Sequence, residues 1–284
     1  MSNLNLPPVR IHPILYFFLF IAILTGMLVE FVIIFLIVFL HELGHYTCAR
    51  IFNWRIQRIF LWVFGGVMET DEYGTRPLKE EWLVTIAGPV MHLFIYLILF
   101  LLELGNVLPD TTLIMAYQYN SFILFGNLLP IWPLDGGKLT QLSLDSFFSY
   151  QLSHKWMILI SVITIVVSSL FVYMKQWLSL SFVLLIIFLI WENRLEWKRR
   201  YYKWWRFLWS RYTMQEHYRK QIEIEVPTNL RLLDLFRLFK RDTTYHIRVF
   251  DNAGNVYIVS EKDCLRGFFD NRDVTANIGQ MRSG

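Results

Sequence analysis

Cysteine and charge are both scarce in this chain of 284 residues, and each shortage removes a class of protein. Cys48 and Cys264 are the only cysteines, far apart in sequence, so no disulfide framework is expected and a reducing cytoplasmic setting fits. Charged residues make up 18% of the chain, against about 25% in soluble domains, which excludes a disordered chain and an ordinary cytosolic enzyme. Positive charge exceeds negative by four, but nine Lys/Arg fall within 194–220 against Glu196 and Glu216 alone, leaving the remainder at −3. The basic character belongs to one segment, so no nucleic-acid surface is expected.

Apolar residues are abundant instead, at 55%, with 17% aromatic. A membrane-crossing helix needs about 20 mainly apolar residues. Six stretches reach or approach that length: 11–29, 31–52, 82–104, 113–132, 156–173 and 177–191. The first lacks a small-residue cleavage site and reads as a retained helix. Arg10, then Arg50, Arg55, Arg58, Arg76 and Lys79, then Lys138 and Lys155 all fall on one side with the basic segment; Lys175 stands alone opposite. Basic loops mark the cytoplasmic side, which puts both termini there after six crossings. The expected fold is a polytopic α-helical membrane protein with six transmembrane helices and a small cytoplasmic α/β domain. Its expected parts are a membrane domain (1–195), a basic, aromatic interfacial linker (196–220) and a tail domain (221–284).

Residues 56–68 are apolar yet follow the second span too closely to form another. Gly65 and Gly66 between β-prone residues predict a β-hairpin or re-entrant segment against the bundle. Such an edge can accept an extended substrate as an added strand, or it can be a structural plug.

His41-Glu42-Leu43-Gly44-His45 lies within the second span. Two histidines four residues apart share one helical face, as a single zinc ion requires, and Glu42 stands beside them to act on the water such a metal activates. Three ionisable groups in an apolar membrane helix are costly unless partnered, so they mark function. A catalytic zinc site takes a third protein ligand. Pro130, Pro133 and the Gly136–Gly137 pair break the fourth span at its cytoplasmic end, which sets the Asp135 carboxylate near the depth of the two histidines.

The pair of motifs, HExxH in one span and Asn127-Leu128-Leu129-Pro130 with Leu134-Asp135-Gly136 in a later one, resembles the site-2 protease family of intramembrane zinc metalloproteases; Ala87-Gly88-Pro89 fits the same pattern. The layout resembles the family's sporulation branch. The resemblance implies Zn2+ on His41, His45 and Asp135, Glu42 as catalytic base, and Asn127 either on substrate or oxyanion or capping broken backbone. His92, where many relatives carry Asn, either supports substrate or packs in the bundle, and packing is the favoured expectation. The family likeness also implies a membrane-associated substrate, the pro-sequence of a sporulation sigma factor, inhibitory membrane partners, and residence in the membrane surrounding the forespore.

In the tail, strands are expected at 224–227, 247–250 and 256–259, a helix at 230–239, a turn at 251–255 and a last helix from Ser260. The order resembles a CBS (cystathionine-β-synthase-type) domain. That resemblance implies an adenine nucleotide such as ATP, with Ser260 near phosphate and Asp263 on ribose; ordinary helix capping by the same two residues is the competing expectation. A single such module implies pairing between subunits as a homo-oligomer. Two other functions stay in competition with the protease: a non-catalytic membrane nucleotide sensor, and a metal or ion transporter. Glu42 speaks against both, because a structural metal site needs no adjacent base.

Overall fold

The computed structural model describes residues 9–62, 65–213, 220–250, 256–271 and 275–281. Contacts divide the chain into two compact units, Met1–Thr140 with Ile160–Asn193, and Gln141–Leu159 with Arg194–Gly284.

The first unit opens on a short strand, β1 (Val9–Ile11), and a helix, α1 (Pro13–Thr25). Pro13 suits a first helical turn, and the His12 side chain caps it by accepting from the Ile14 N–H at 3.1 Å. α1 stops at Gly26, whose φ is 76°. α2 (Leu28–Ile51) follows almost at once, then β2 (Ile56–Trp62), β3 (Gly65–Thr70), α3 (Leu78–Leu104), α4 (Asp110–Leu128) and α5 (Asp135–Phe147). β2 pairs antiparallel with β3, as expected for a hairpin, and on its other side runs parallel to β1, which the sequence did not announce. The later helices are α6 (Tyr150–Met174) and α7 (Leu180–Thr213).

Among the described residues, three helices, α2, α3 and α6, are long and apolar enough to cross a membrane. The remaining expected spans are also helical: α1 is shorter, α4 carries Gln118, Asn120 and Ser121 in mid-course, and the last corresponds to the start of α7. α3 shows how such a helix is built. Leu93, Leu97, Leu101 and Leu104, three or four residues apart, stay more than half exposed, while Val84, Gly88, His92, Ile95 and Leu99 are buried on the other face. Leucines face outward, while the polar Thr85 and His92 are buried among apolar neighbours, which suits a lipid solvent.

α7 continues for 34 residues, so the expected interfacial linker is largely helix. Its Trp204, Phe207 and Leu208 enter the core of the second unit with Leu235, Phe236, Ile247, Val249, Leu265 and Phe268. That core lies against a sheet ordered β4 (Lys220–Pro227), β5 (Thr243–Phe250), β6 (Val256–Ser260), in which β4 and β5 run parallel and β6 antiparallel. Thr243, Tyr245, Ile247 and Val249 are all buried, the alternation of a strand with one covered face. The expected helix at 230–239 is shorter, α8 (Leu232–Phe236); α9 (Glu261–Asn271) follows β6 directly. The expected turn at 251–255 lies outside the described residues. A buried Arg211 makes a two-pronged pair with Glu261, Nε to Oε1 at 2.6 Å and Nη2 to Oε2 at 2.8 Å.

Candidate metal centre

α2 presents His41 and His45 on one face with their Nε2 atoms 3.1 Å apart. Asp135, the first residue of α5, brings its Oδ2 to 3.0 Å from each of those nitrogens. The three atoms form a nearly equilateral triangle, and their residues are at most 5% exposed. In a tetrahedral zinc site with bonds of about 2.0–2.1 Å, ligand atoms stand about 3.3 Å apart. The triangle therefore fits one face of such a site to within a few tenths of an ångström. Glu42 is buried beside it, with a carboxylate oxygen within 4.8 Å of the imidazole nitrogens. Glu42, His41 and His45 thus form a second group of potential donors, and what sets Asp135 apart is its shared 3.0 Å contact with both imidazoles.

Each corner is held from behind. His45 Nδ1 donates to the Val84 carbonyl at 2.8 Å, which leaves its Nε2 lone pair facing the triangle. His41 Nδ1 lies 3.0 Å from His92 Nε2, and His92 Nδ1 lies 2.6 Å from Asn120 Oδ1. Lys138 donates to the other Asp135 oxygen, Oδ1, at 3.2 Å. The segment before Asp135 is tied at Trp132: its N–H donates to Ser161 Oγ at 2.9 Å, and its carbonyl accepts from Asn193 Nδ2 at 2.8 Å.

Two glycines let the backbone come close enough. A β-carbon on Gly88 would overlap the His45 ring and sit 2.8 Å from His41 Cε1. One on Gly66 would overlap the Glu42 side chain, so β3 passes directly over the acid. Gly65 pairs with Trp62 across the hairpin. Asn127 is half-buried in the last turn of α4, and no hydrogen bond among the described residues joins it to His41, Glu42, His45 or Asp135. His92 packs, as expected, but packs as a hydrogen-bonding partner of His41. Asn120, Lys138, Ser161 and Asn193 escaped the sequence reading. Asn120 had a signal, a carboxamide inside a membrane-length helix.

In the second unit, Ser260 Oγ accepts from the Asp263 N–H at 3.2 Å and donates to Asp263 Oδ2 at 2.6 Å. This is the geometry of a helix cap at the start of α9.

The profile of peptidase family M50 matches residues 29–108. The chain is 32% identical over 274 residues to Stage IV sporulation protein FB of Bacillus subtilis, an alignment covering 96% of this chain and 95% of that one. It is 29% identical over 164 residues to Zinc metalloprotease MJ0392 of Methanocaldococcus jannaschii, covering 52% of this chain and 46% of that one. In fold it is similar to the solved Site-2 Protease from Methanocaldococcus jannaschii, with a TM-score of 0.51 and 24% identity over 69% of this chain and 93% of that chain. The chain belongs to peptidase family M50, the site-2 proteases. It is accordingly an integral membrane protein and an intramembrane zinc metalloprotease.

Proposed function

We propose that His41, His45 and Asp135 hold one zinc ion and that Glu42 moves the proton in hydrolysis of a peptide bond in a membrane-associated substrate. The triangle of donor atoms at 3.0–3.1 Å, with a separate buried carboxylate beside it, carries this assignment. Zinc bound there supplies Lewis acidity, polarising the scissile carbonyl and acidifying water. Glu42 accepts the proton of the attacking water and returns it to the leaving amine nitrogen. Lys138 and the Trp132 anchors keep Asp135 aimed at the imidazoles. β3 is an edge strand of its sheet and Gly66 lies on Glu42, so an extended substrate adding along β3 would pass the base. Asn127 is assigned to substrate on the strength of the motif alone.

Likeness to Stage IV sporulation protein FB over nearly the whole chain supports a sporulation setting. The substrate is then the pro-sequence of a membrane-associated sigma factor, in the membrane around the forespore, with inhibitory membrane proteins as partners. Six crossings with both termini cytoplasmic complete the assignment. The tail is assigned as a CBS-like, self-pairing module; an adenine nucleotide at Ser260 and Asp263 would have to open their mutual hydrogen bond.

The test is reconstitution of purified protein with a tethered substrate, with and without chelator, beside Glu42→Gln. The variant is expected to retain one zinc per chain and to lose cleavage by about 10²–10⁴-fold. Cleavage at the wild-type rate by Glu42→Gln would remove Glu42 as the base.

A further inference from the structure

We propose that His92 and Asn120 are positioning residues, a two-step hydrogen-bond relay from α4 through α3 that holds His41 in the one tautomer able to ligate a metal. The inference rests on the assignment of His41 as a zinc ligand.

The direction of each bond follows from its neighbour. Asn120 Nδ2 donates to the backbone carbonyl of His92 at 3.1 Å. Turning the amide over would set Oδ1 against that carbonyl, acceptor facing acceptor, so the orientation is fixed. Asn120 Oδ1 therefore faces His92 Nδ1, 2.6 Å away, and must accept from it. A neutral imidazole carries one N–H, so His92 Nε2 is left as an acceptor. The atom it meets at 3.0 Å is His41 Nδ1, which must donate. His41 then has no proton on Nε2, and that lone pair points to where His45 Nε2 and Asp135 Oδ2 converge.

The opposite tautomer would turn an N–H into the triangle and exclude a cation. Water does not decide the matter, because His92 and Asn120 are fully buried and His41 is 4% exposed. His45 reaches the same state more simply, through the Val84 carbonyl. On the His41 side no backbone carbonyl plays that part in the described hydrogen bonds, and side chains from two further helices supply the acceptor. An outer partner of this kind both orients the ring and raises its basicity towards the metal.

The experiment measures zinc affinity of the full-length protein in detergent by competition with a chromophoric chelator, so it does not depend on turnover. His92→Leu is expected to weaken zinc binding by about 10–100-fold. His92→Gln returns an acceptor oxygen near the lost Nε2 and is expected to recover most of that loss. Asn120→Ala frees the His92 tautomer and is expected to fall between wild type and His92→Leu. Wild-type affinity in His92→Leu, or a glutamine variant as weak as the leucine one, overturns the relay in favour of plain packing. Should His92→Leu fail to give monodisperse protein, Asn120→Ala decides: affinity equal to wild type overturns the proposal. A wild-type protein that holds no zinc sinks the ligand assignment itself, a separate and visible failure.

Discussion

Gly88→Ala probes how closely α3 is fitted to the two imidazoles. The added methyl carbon would stand 2.8 Å from His41 Cε1 and closer still to the His45 ring. Ordinary carbon contacts begin near about 3.5 Å, so His41 must retreat by about 0.7 Å and His45 by more. Zinc sites tolerate departures of about 0.2 Å in ligand distance. The displacement is several times that tolerance, and both rings are pinned from behind by Val84 and His92, which leaves them little room to swing away. Misplacement of this size costs on the order of 10²-fold in rate, and zinc should be lost with it. Metal analysis of purified protein beside cleavage of a tethered substrate reads both. Gly126→Ala is the control: it too adds one methyl in a helix, but nothing lies within 4 Å of its β-carbon, so zinc content and turnover should not change. A Gly88→Ala protein with one tightly held zinc and wild-type turnover would refute the close-approach reasoning, and with it the placement of α3 against the centre.

Gly66→Ala should separate binding of the metal from catalysis. The three atoms nearest its β-carbon all belong to Glu42. Zinc should remain at one equivalent while turnover falls by about 10–100-fold; loss of zinc together with activity would contradict this division of labour. A second expectation concerns pH. The Glu72 carboxylate, in the loop between β3 and α3, is pushed up by burial, but hydrogen bonds from Arg76 and Arg55 outweigh this and hold it below its ordinary value of 4.5. The folded state therefore binds this proton less readily than the unfolded state. The stabilisation is complete above pH 4.5 and is lost as pH falls through the lowered value. Glu72→Gln should cost about 1 kcal/mol near neutrality. It should also shrink the acid-side fall in thermal stability, and an unchanged acid limb would remove Glu72 from that account.

The site was legible where spacing alone carries geometry. His41 and His45 share a face of any helix that contains them, and the Pro130–Pro133 and Gly136–Gly137 punctuation marked a break at which Asp135 could turn inward. Its partner contacts were not legible, because they depend on how helices cross. His92 falls on the buried face of α3 with Gly88, but no sequence pattern says that this face meets His41. Asn120 could be seen as a polar group needing a partner without revealing which. The same limit applies to Ser161 and Asn193, which act through a backbone turn whose position only the folded chain defines. For the fold, three of the six apolar runs coincide with described helices long and apolar enough to cross a membrane. The change from apolar to basic composition after Trp191 suggested a boundary that α7 ignores. Residues 180–213 contain no glycine or proline, so nothing in the backbone stops the helix where the solvent changes. β1 was missed because three residues beside two prolines give no alternation to read.

Assembly of the centre draws on segments that the ribosome delivers far apart: both imidazoles by residue 45, the carboxamide of Asn120 later, and Asp135 later again. At about 5–20 residues per second, the interval between the second imidazole and the carboxylate lasts about 5–20 seconds. On the proposed assignment the nascent chain throughout has two nitrogen donors and a base but lacks its third donor, the Asp135 oxygen. On that assignment the protease enters the bilayer unarmed, and peptide-bond cleavage becomes available only after α1 to α4 have been made.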